Sequence, residues 1–457
     1  MEEYMKLKAS KPTCVFQGDV MEKLHWGFVQ FPWLYATDDD SIVLSVHCED
    51  DAPHLVSEGE DFVKNKRYFK TLDNGKTWQR ADVSDIRRMG YRTPKGDMIM
   101  LKPFLAKNIF GVEVPTNFGN YRIPTDDLTI KKSEDAKRLP FPVAVEMGVY
   151  GNYDKLYYVD TIPDELRDDG VLLRRLKKGE SKPEEYRAGL DWKYRMTRTY
   201  DPSVVYDSYN GEDALYLVSC GIYCEPVIKI GPDGKTLWAA TYRPGADPRS
   251  GVYSGKGGSY ILRSDDDGEN WRCVGYIRYE GDIEKDNFAY MRDGFSEPVI
   301  EFMDDGSMIC LLRTCGVFGG TTEWGPTYLA RSFDEGVTWS RPEYFADRGA
   351  LPQLLKLDCG VTLAVITRPG IYVYASDDNG YTWDVKLEIM EDSDRSILAN
   401  EVPQRANFWQ YAGSCCNCTI LPIAENKALL AYSDFYYPDE KGIKRKSILT
   451  VEITVEK

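Results

Sequence analysis

One eight-residue phrase recurs four times along this chain of 457 residues. It reads Thr71-Leu72-Asp73-Asn74-Gly75-Lys76-Thr77-Trp78, and then Ser264-Asp265-Asp266-Asp267-Gly268-Glu269-Asn270-Trp271. The other two copies are Ser332-Phe333-Asp334-Glu335-Gly336-Val337-Thr338-Trp339 and Ser376-Asp377-Asp378-Asn379-Gly380-Tyr381-Thr382-Trp383. The shared pattern, Ser/Thr-x-Asp-x-Gly-x-Thr/Asn-Trp, has the chemistry of a hairpin turn. The Asp accepts hydrogen bonds from turn amides, the Gly takes a positive φ, and the Trp packs back under the hairpin. Each copy follows a β-rich run, such as Ile371-Tyr372-Val373-Tyr374-Ala375. One such phrase would be an ordinary turn, but four with one spacing define a repeat architecture. A chain built this way folds as all-β.

Composition narrows the function classes. Hydrophobic residues make up 42% and aromatic residues 13%, too much for a disordered chain. No apolar run reaches the ~18–20 residues of a membrane-spanning helix. The net charge of −16 argues against binding a phosphate backbone, so no nucleic-acid partner is expected. The N-terminus, Met1-Glu2-Glu3-Tyr4-Met5-Lys6, lacks a basic stretch followed by an apolar one, so a cytoplasmic location is expected. Eleven cysteines accompany only three histidines, His25, His47 and His54. Cys415, Cys416 and Cys418 crowd together far from any histidine, which argues for reduced thiols rather than a zinc site. No other cluster has metal-ligand spacing, and no metal or cofactor is expected.

The repeat resembles the Asp box, or BNR repeat, of the sialidase superfamily. The resemblance implies a six-bladed β-propeller, with the boxes as structural turns on the face away from the active site. It covers most of the chain and makes residues 1–457 a single domain with insertions around 90–190. Inner strands of blades are expected to start at Phe28, Asp201, Ser296, Leu351 and Asn417. The stretch 90–165 is poorly patterned, and the charged stretch 164–187 reads as a solvated helix or loop. The final run, Ser447 to Val455, is expected to pair near the N-terminus and close the ring, which removes exposed sheet edges.

In such a blade the start of the first strand and the end of the second open onto the active face. The residues at those positions are Gln30, Glu49, Asp50, Asp51 and His54, then Asp201, Glu297, Arg313, Arg368 and Asp434. Carboxylates and guanidiniums converging on one mouth suit an acidic or polyhydroxylated sugar. The resemblance adds roles. Sialidases hold the substrate carboxylate with three arginines, and use an Asp as acid/base and a Tyr nucleophile activated by a Glu. Glu297 and Arg313, sixteen residues apart, match the family's Glu and second arginine, and Arg368 matches the third. Asp50 or Asp51 takes the place of the acid/base, with His47 or His54 as alternatives.

Two departures limit the resemblance. The family's first arginine belongs to an Arg-Ile-Pro motif, and that place here reads Gln30-Phe31-Pro32. Arg122-Ile123-Pro124 occurs only after the first repeat and reads as a chance match. The position of the nucleophilic Tyr falls on Cys415, with Tyr411 nearby. The expectation is therefore a sialidase-like, exo-acting glycosidase that removes a terminal sugar, an acidic one included. It would use Asp50, Asp51, Glu297 and Tyr411 in catalysis, and Gln30, His54, Asp201, Arg313, Arg368 and Asp434 in substrate binding. The alternative is a propeller that binds glycans without catalysis.

Overall fold

The computed structural model describes residues 5–18, 28–48, 66–101, 128–131, 138–147, 153–164, 170–200, 215–219, 227–314, 325–391 and 417–456. The described residues are nearly all β, and their one α-helix is the six-residue Val83–Arg88, capped by Asp82 and Asp85. Four-stranded antiparallel meanders recur. The strands Phe28–Thr37, Ile42–Cys48, Lys66–Thr71 and Gln79–Arg80 form one. Lys229–Ile230, Leu237–Ala246, Tyr253–Ser264 and Asn270–Ile277 form another. Two more are Phe295–Phe302 with Met308–Thr314, Thr327–Ser332 and Glu343–Ala346, and Gln353–Lys356 with Thr362–Thr367, Ile371–Ser376 and Val385–Met390. The last sheet combines Cys418–Ala424, Lys427–Pro438 and Lys444–Glu456 with the N-terminal strands Lys6–Ala9 and Thr13–Gln17. The expected pairing of the final strand with the N-terminus is present, with Lys6 opposite Glu456 and Thr13 opposite Thr450.

The second strand of each meander is buried on both faces, which is why it reads as a continuous apolar run rather than an alternation. In Met308–Thr314 the side chains of Met308, Cys310 and Leu312 pack against the preceding sheet, and those of Ile309 and Leu311 against the following one. Thr362–Thr367 divides in the same way, Ala364 and Ile366 facing back and Leu363 and Val365 facing forward. In the last sheet Ala428, Leu430 and Tyr432 face back, while Leu429 and Ala431 face the N-terminal sheet across Leu34, Ile42 and Leu44. Fully burying each Leu, Ile, Val or Met among these contributes about 1.5–3 kcal/mol. First and last sheets are therefore packed neighbours, and the Leu34 amide donates to Thr419 Oγ1 across their contact at 2.9 Å.

The stretch 164–187 departs from the expected solvated helix or loop. It forms the strands Gly170–Leu176 and Glu184–Asp191, paired antiparallel. Val171 and Leu173 point inward, and Arg175 is buried between Asp97 and Asp267. The charges concealed a strand because one of them is neutralised inside the structure. These strands pair with Met98–Leu101 and, in parallel, with Asn270–Ile277. A separate sheet holds Leu128–Lys131, Ala144–Met147, Tyr153–Tyr158, Met196–Tyr200 and Leu215–Ser219.

The four repeats form turns of one geometry. In the first, Asp73 accepts from the Thr77 amide at 2.8 Å and the Thr77 hydroxyl at 2.6 Å, and the Gly75 amide donates to Thr71 Oγ1. Asp266, Asp334 and Asp378 accept the same pair of bonds from Asn270, Thr338 and Thr382. The indoles of Trp78, Trp339 and Trp383 donate to the turn carbonyls of Gly75, Gly336 and Gly380. Trp271 does not; the Gly268 carbonyl accepts from the Tyr186 hydroxyl instead. Each turn docks on the preceding sheet. The third covers Gly275, where a Cβ would lie 1.7 Å from the Gly336 carbonyl oxygen. The fourth receives the Asp304 amide and Arg331. The first docks on the last sheet, Asn74 Nδ2 donating to the Ile423 carbonyl.

Candidate functional site

The repeat turns occupy one end of the sheets, and Glu297, Arg313 and Arg368 lie at the other. In the 295–346 sheet, Glu297 sits near the start of the first strand, while the turn after Phe302 meets the fourth repeat through Asp304. The separation along the strand is roughly 20 Å.

Glu297 and Arg313 are brought together by strand register. Ser296 lies opposite Arg313, and a β-bulge between Ser296 and Val299 re-aims the intervening side chain. Arg313 Nη1 donates to Glu297 Oε1 at 2.6 Å. The other oxygen, Oε2, accepts the backbone amide of Leu351 from the next sheet. Arg368, at the end of the second strand of that sheet, is buried, donates to Asn417 Oδ1 at 3.1 Å and adds its charge to the surroundings of Glu297. Burial alone would raise the Glu297 pKa. The charge and hydrogen bond of Arg313, the charge of Arg368 and the Leu351 amide outweigh it and hold the carboxyl below its ordinary value. Glu297 is therefore an anion in a cationic frame and is not a proton donor near neutral pH.

Below this pair the first strands are tied by a second carboxylate. Glu301 binds Lys229 from one neighbouring sheet and accepts the Lys356 amide from the other at 3.0 Å. The Leu351 side chain packs against the cluster of Trp33, Tyr35 and Met89. This contact joins the N-terminal sheet, which carries Gln30 on its first strand, to the segment whose amide binds Glu297. Gln30 is fully buried and lies opposite His47, whose ring meets Phe31 edge-on at 5.5 Å.

Asp434 is placed differently. It stands near the end of its second strand, but accepts from the Tyr436 amide at 2.7 Å and lies opposite Ser447, on the outer side of its own sheet. Burial raises its pKa. Among the described interactions none joins it to Glu297, Arg313 or Arg368. Asp50, Asp51, His54, Asp201 and Tyr411 lie outside the described residues, as does Arg122. Among the described residues no group of three His, Cys, Asp or Glu could hold a metal ion.

Two features of the site were not anticipated. The first is the Leu351 amide, which any residue could supply. The second is backbone strain: Phe31, Glu297, Leu351 and Arg368 all have positive φ, between 42° and 55°. Each of the four precedes a proline, a position that otherwise favours extended backbone. Such residues cost of order 1–3 kcal/mol each and cluster at functional sites. The recurring Xaa-Pro step is visible in the sequence and was the available signal.

No protein-family model matches the chain, and no curated protein does. Among solved structures it is similar to a Dyadobacter fermentans protein of unknown function, at 14% identity over 98% of this chain and 99% of that one, with a TM-score of 0.54. Weaker likenesses are to a Penicillium chrysogenum α-L-arabinanase complexed with arabinobiose (11% identity, 97% and 98% covered, TM-score 0.43) and the NanB sialidase of Streptococcus pneumoniae (11%, 98% and 70%, TM-score 0.40). The first of these shows a fold shared over nearly the whole chain.

Proposed function

We propose that the chain is a sialidase-like glycoside hydrolase, one six-bladed propeller domain that removes a terminal sugar at the mouth framed by Glu297, Arg313 and Arg368. The observation that carries this reading is Glu297 itself: a carboxylate on strained backbone, held ionised between two arginines at the end of the sheets opposite the repeat turns. The four equivalent turns and the contact between first and last sheets support a ring, with the strands Met89–Arg92, Met98–Leu101, Gly170–Leu176 and Glu184–Asp191 supplying the blade that lacks a repeat.

In this reading Glu297, being ionised, activates a nucleophile or acts as base, and the proton donor is Asp50 or Asp51. The distance between the two carboxyl groups then decides retention or inversion. Arg313 and Arg368 favour an acidic or hydroxyl-rich ligand. Gln30, in the place of a family arginine, offers an amide and no charge there, so the demand for a substrate carboxylate is weaker than in sialidases. Tyr411, His54, Asp201 and Asp434 remain candidate ligand contacts.

One observation favours the alternative of a glycan-binding propeller without catalysis: both Glu297 oxygens are already engaged, by Arg313 and Leu351. The deciding experiment is a panel of aryl glycosides, sialosides and arabinofuranosides included, with the wild type beside Glu297→Gln and Asp51→Asn. Hydrolysis of one substrate that falls at least ~100-fold in both variants supports the enzyme. No turnover together with retained glycan-array binding supports the alternative.

A further inference from the structure

The segment between Ile277 and Phe295 crosses the mouth end of the sheets just before Glu297, and its anchoring exceeds what a surface loop needs. Arg292 and Asp286 form a bidentate ion pair at 3.0 and 2.9 Å with both side chains almost wholly buried. The Tyr279 hydroxyl donates to the Ala289 carbonyl at 2.7 Å, and the Asp282 amide to the Tyr328 hydroxyl at 2.9 Å. Lys256 Nζ donates to the carbonyls of Tyr290 and Arg292. The Gly257 amide donates to the Asp293 carbonyl at 2.7 Å, and Gly294, at φ 123°, has no room for a side chain, since a Cβ there would lie 2.2 Å from the Gly257 carbonyl oxygen. A buried ion pair adds little net stability, and its best-attested use is to fix one arrangement.

What this frame presents outward is unusual. Tyr290 is 73% exposed on the 3₁₀ turn Ala289–Met291. Asp293 makes no side-chain hydrogen bond among the described residues; Lys256 is its one charged neighbour there. Asp293 is exposed, yet partial desolvation of its carboxyl raises its pKa, and Lys256 offsets this only in part. Asp293 precedes Glu297 by four residues, so the two are at most about 13 Å apart along the chain. Lys256 lies near the start of the strand Tyr253–Ser264, which ends in the second repeat turn, and this places the group toward the mouth end.

We propose that Tyr290 and Asp293 form a second saccharide subsite on the rim of the Glu297 mouth, holding the sugar unit next to the one that binds at Glu297. Tyr290 supplies an aromatic face for a pyranose or furanose ring, and Asp293 accepts hydrogen bonds from its hydroxyls. The proposal rests on reading the mouth as a sugar site. It makes the natural ligand at least a disaccharide.

The test compares glycosyl fluorides, whose leaving group cannot reach the rim, with disaccharides of the same sugars, using the full chain and the variants Tyr290→Ala and Asp293→Asn. Each variant is expected to lower the ratio of kcat/KM for disaccharide to that for fluoride about tenfold, chiefly through KM, with thermal unfolding unchanged. An unaltered ratio overturns the subsite and leaves the glycosidase reading standing. If the wild type cleaves neither probe, the glycosidase reading falls, and calorimetric titration with the same disaccharides decides the subsite: weaker binding by both variants upholds it, and equal or absent binding overturns it.

Discussion

The two ends of the sheets are built on opposite plans. At one end four turns repeat both sequence and geometry, and the positive φ angles fall on Gly75, Gly268, Gly336 and Gly380 and on the residue before each. At the other end a backbone feature repeats while the side chains differ: Phe31, Glu297, Leu351 and Arg368 share a left-handed conformation before proline, but one is aromatic, one acidic, one aliphatic and one basic. Glycine would relieve the strain at these four positions and occupies none of them. The repeat turns hold neighbouring sheets together; among the strained steps, Glu297 accepts the Leu351 amide and feels the charge of Arg368. Conserving a device while varying what it carries is how one scaffold can host different sites.

That contrast can be broken by substitution. The largest effect is expected at Trp271, fully buried beneath the second turn, where Trp271→Ala should lower stability by about 3–5 kcal/mol in denaturant unfolding. A loss below 1 kcal/mol would remove the turns from the scaffold. Next comes Gly275→Ala, which drives a methyl group against the Gly336 carbonyl and should cost about 1–3 kcal/mol, read in the same way.

Acid should act with one sign on the repeat-turn aspartates and on Glu297. Hydrogen bonds from Thr77 hold Asp73 at about 2, bonds from Thr338 lower Asp334, and the arginines lower Glu297 against the effect of burial. A carboxyl with a depressed folded-state pKa stabilises the fold above its unfolded value, about 4, and that contribution is lost as pH falls through the folded value. Unfolding midpoints should therefore be level from pH 5 to 8 on these groups' account and fall between about pH 4 and 2. Asp334→Asn should flatten that fall slightly; a steeper fall in the variant would contradict the assignment.

Much of this was legible because it is local. The turns need only the residues within each phrase, and the burial of Met308–Thr314 on both faces follows from its unbroken apolar run. The Glu297–Arg313 pairing was readable because a hairpin register converts a spacing of sixteen residues into contact. What could not be read depends on partners distant in the chain. Arg175 looked like a solvated charge until Asp97 and Asp267 were placed beside it. The Leu351 amide leaves no mark on sequence. Asp434 occupies the expected strand end, and its carboxylate accepts the Tyr436 amide of its own strand, a local bond that position alone does not announce.

The division of labour between the ends is tested most directly by turnover per folded molecule in Glu297→Gln beside Asp334→Asn, on a glycoside that the wild type cleaves. Asp334→Asn should melt at a lower temperature and keep its specific activity within about twofold, while Glu297→Gln, still folded by circular dichroism, should lose at least ~100-fold. Activity that survives in Glu297→Gln, or falls equally in both variants, would contradict the account.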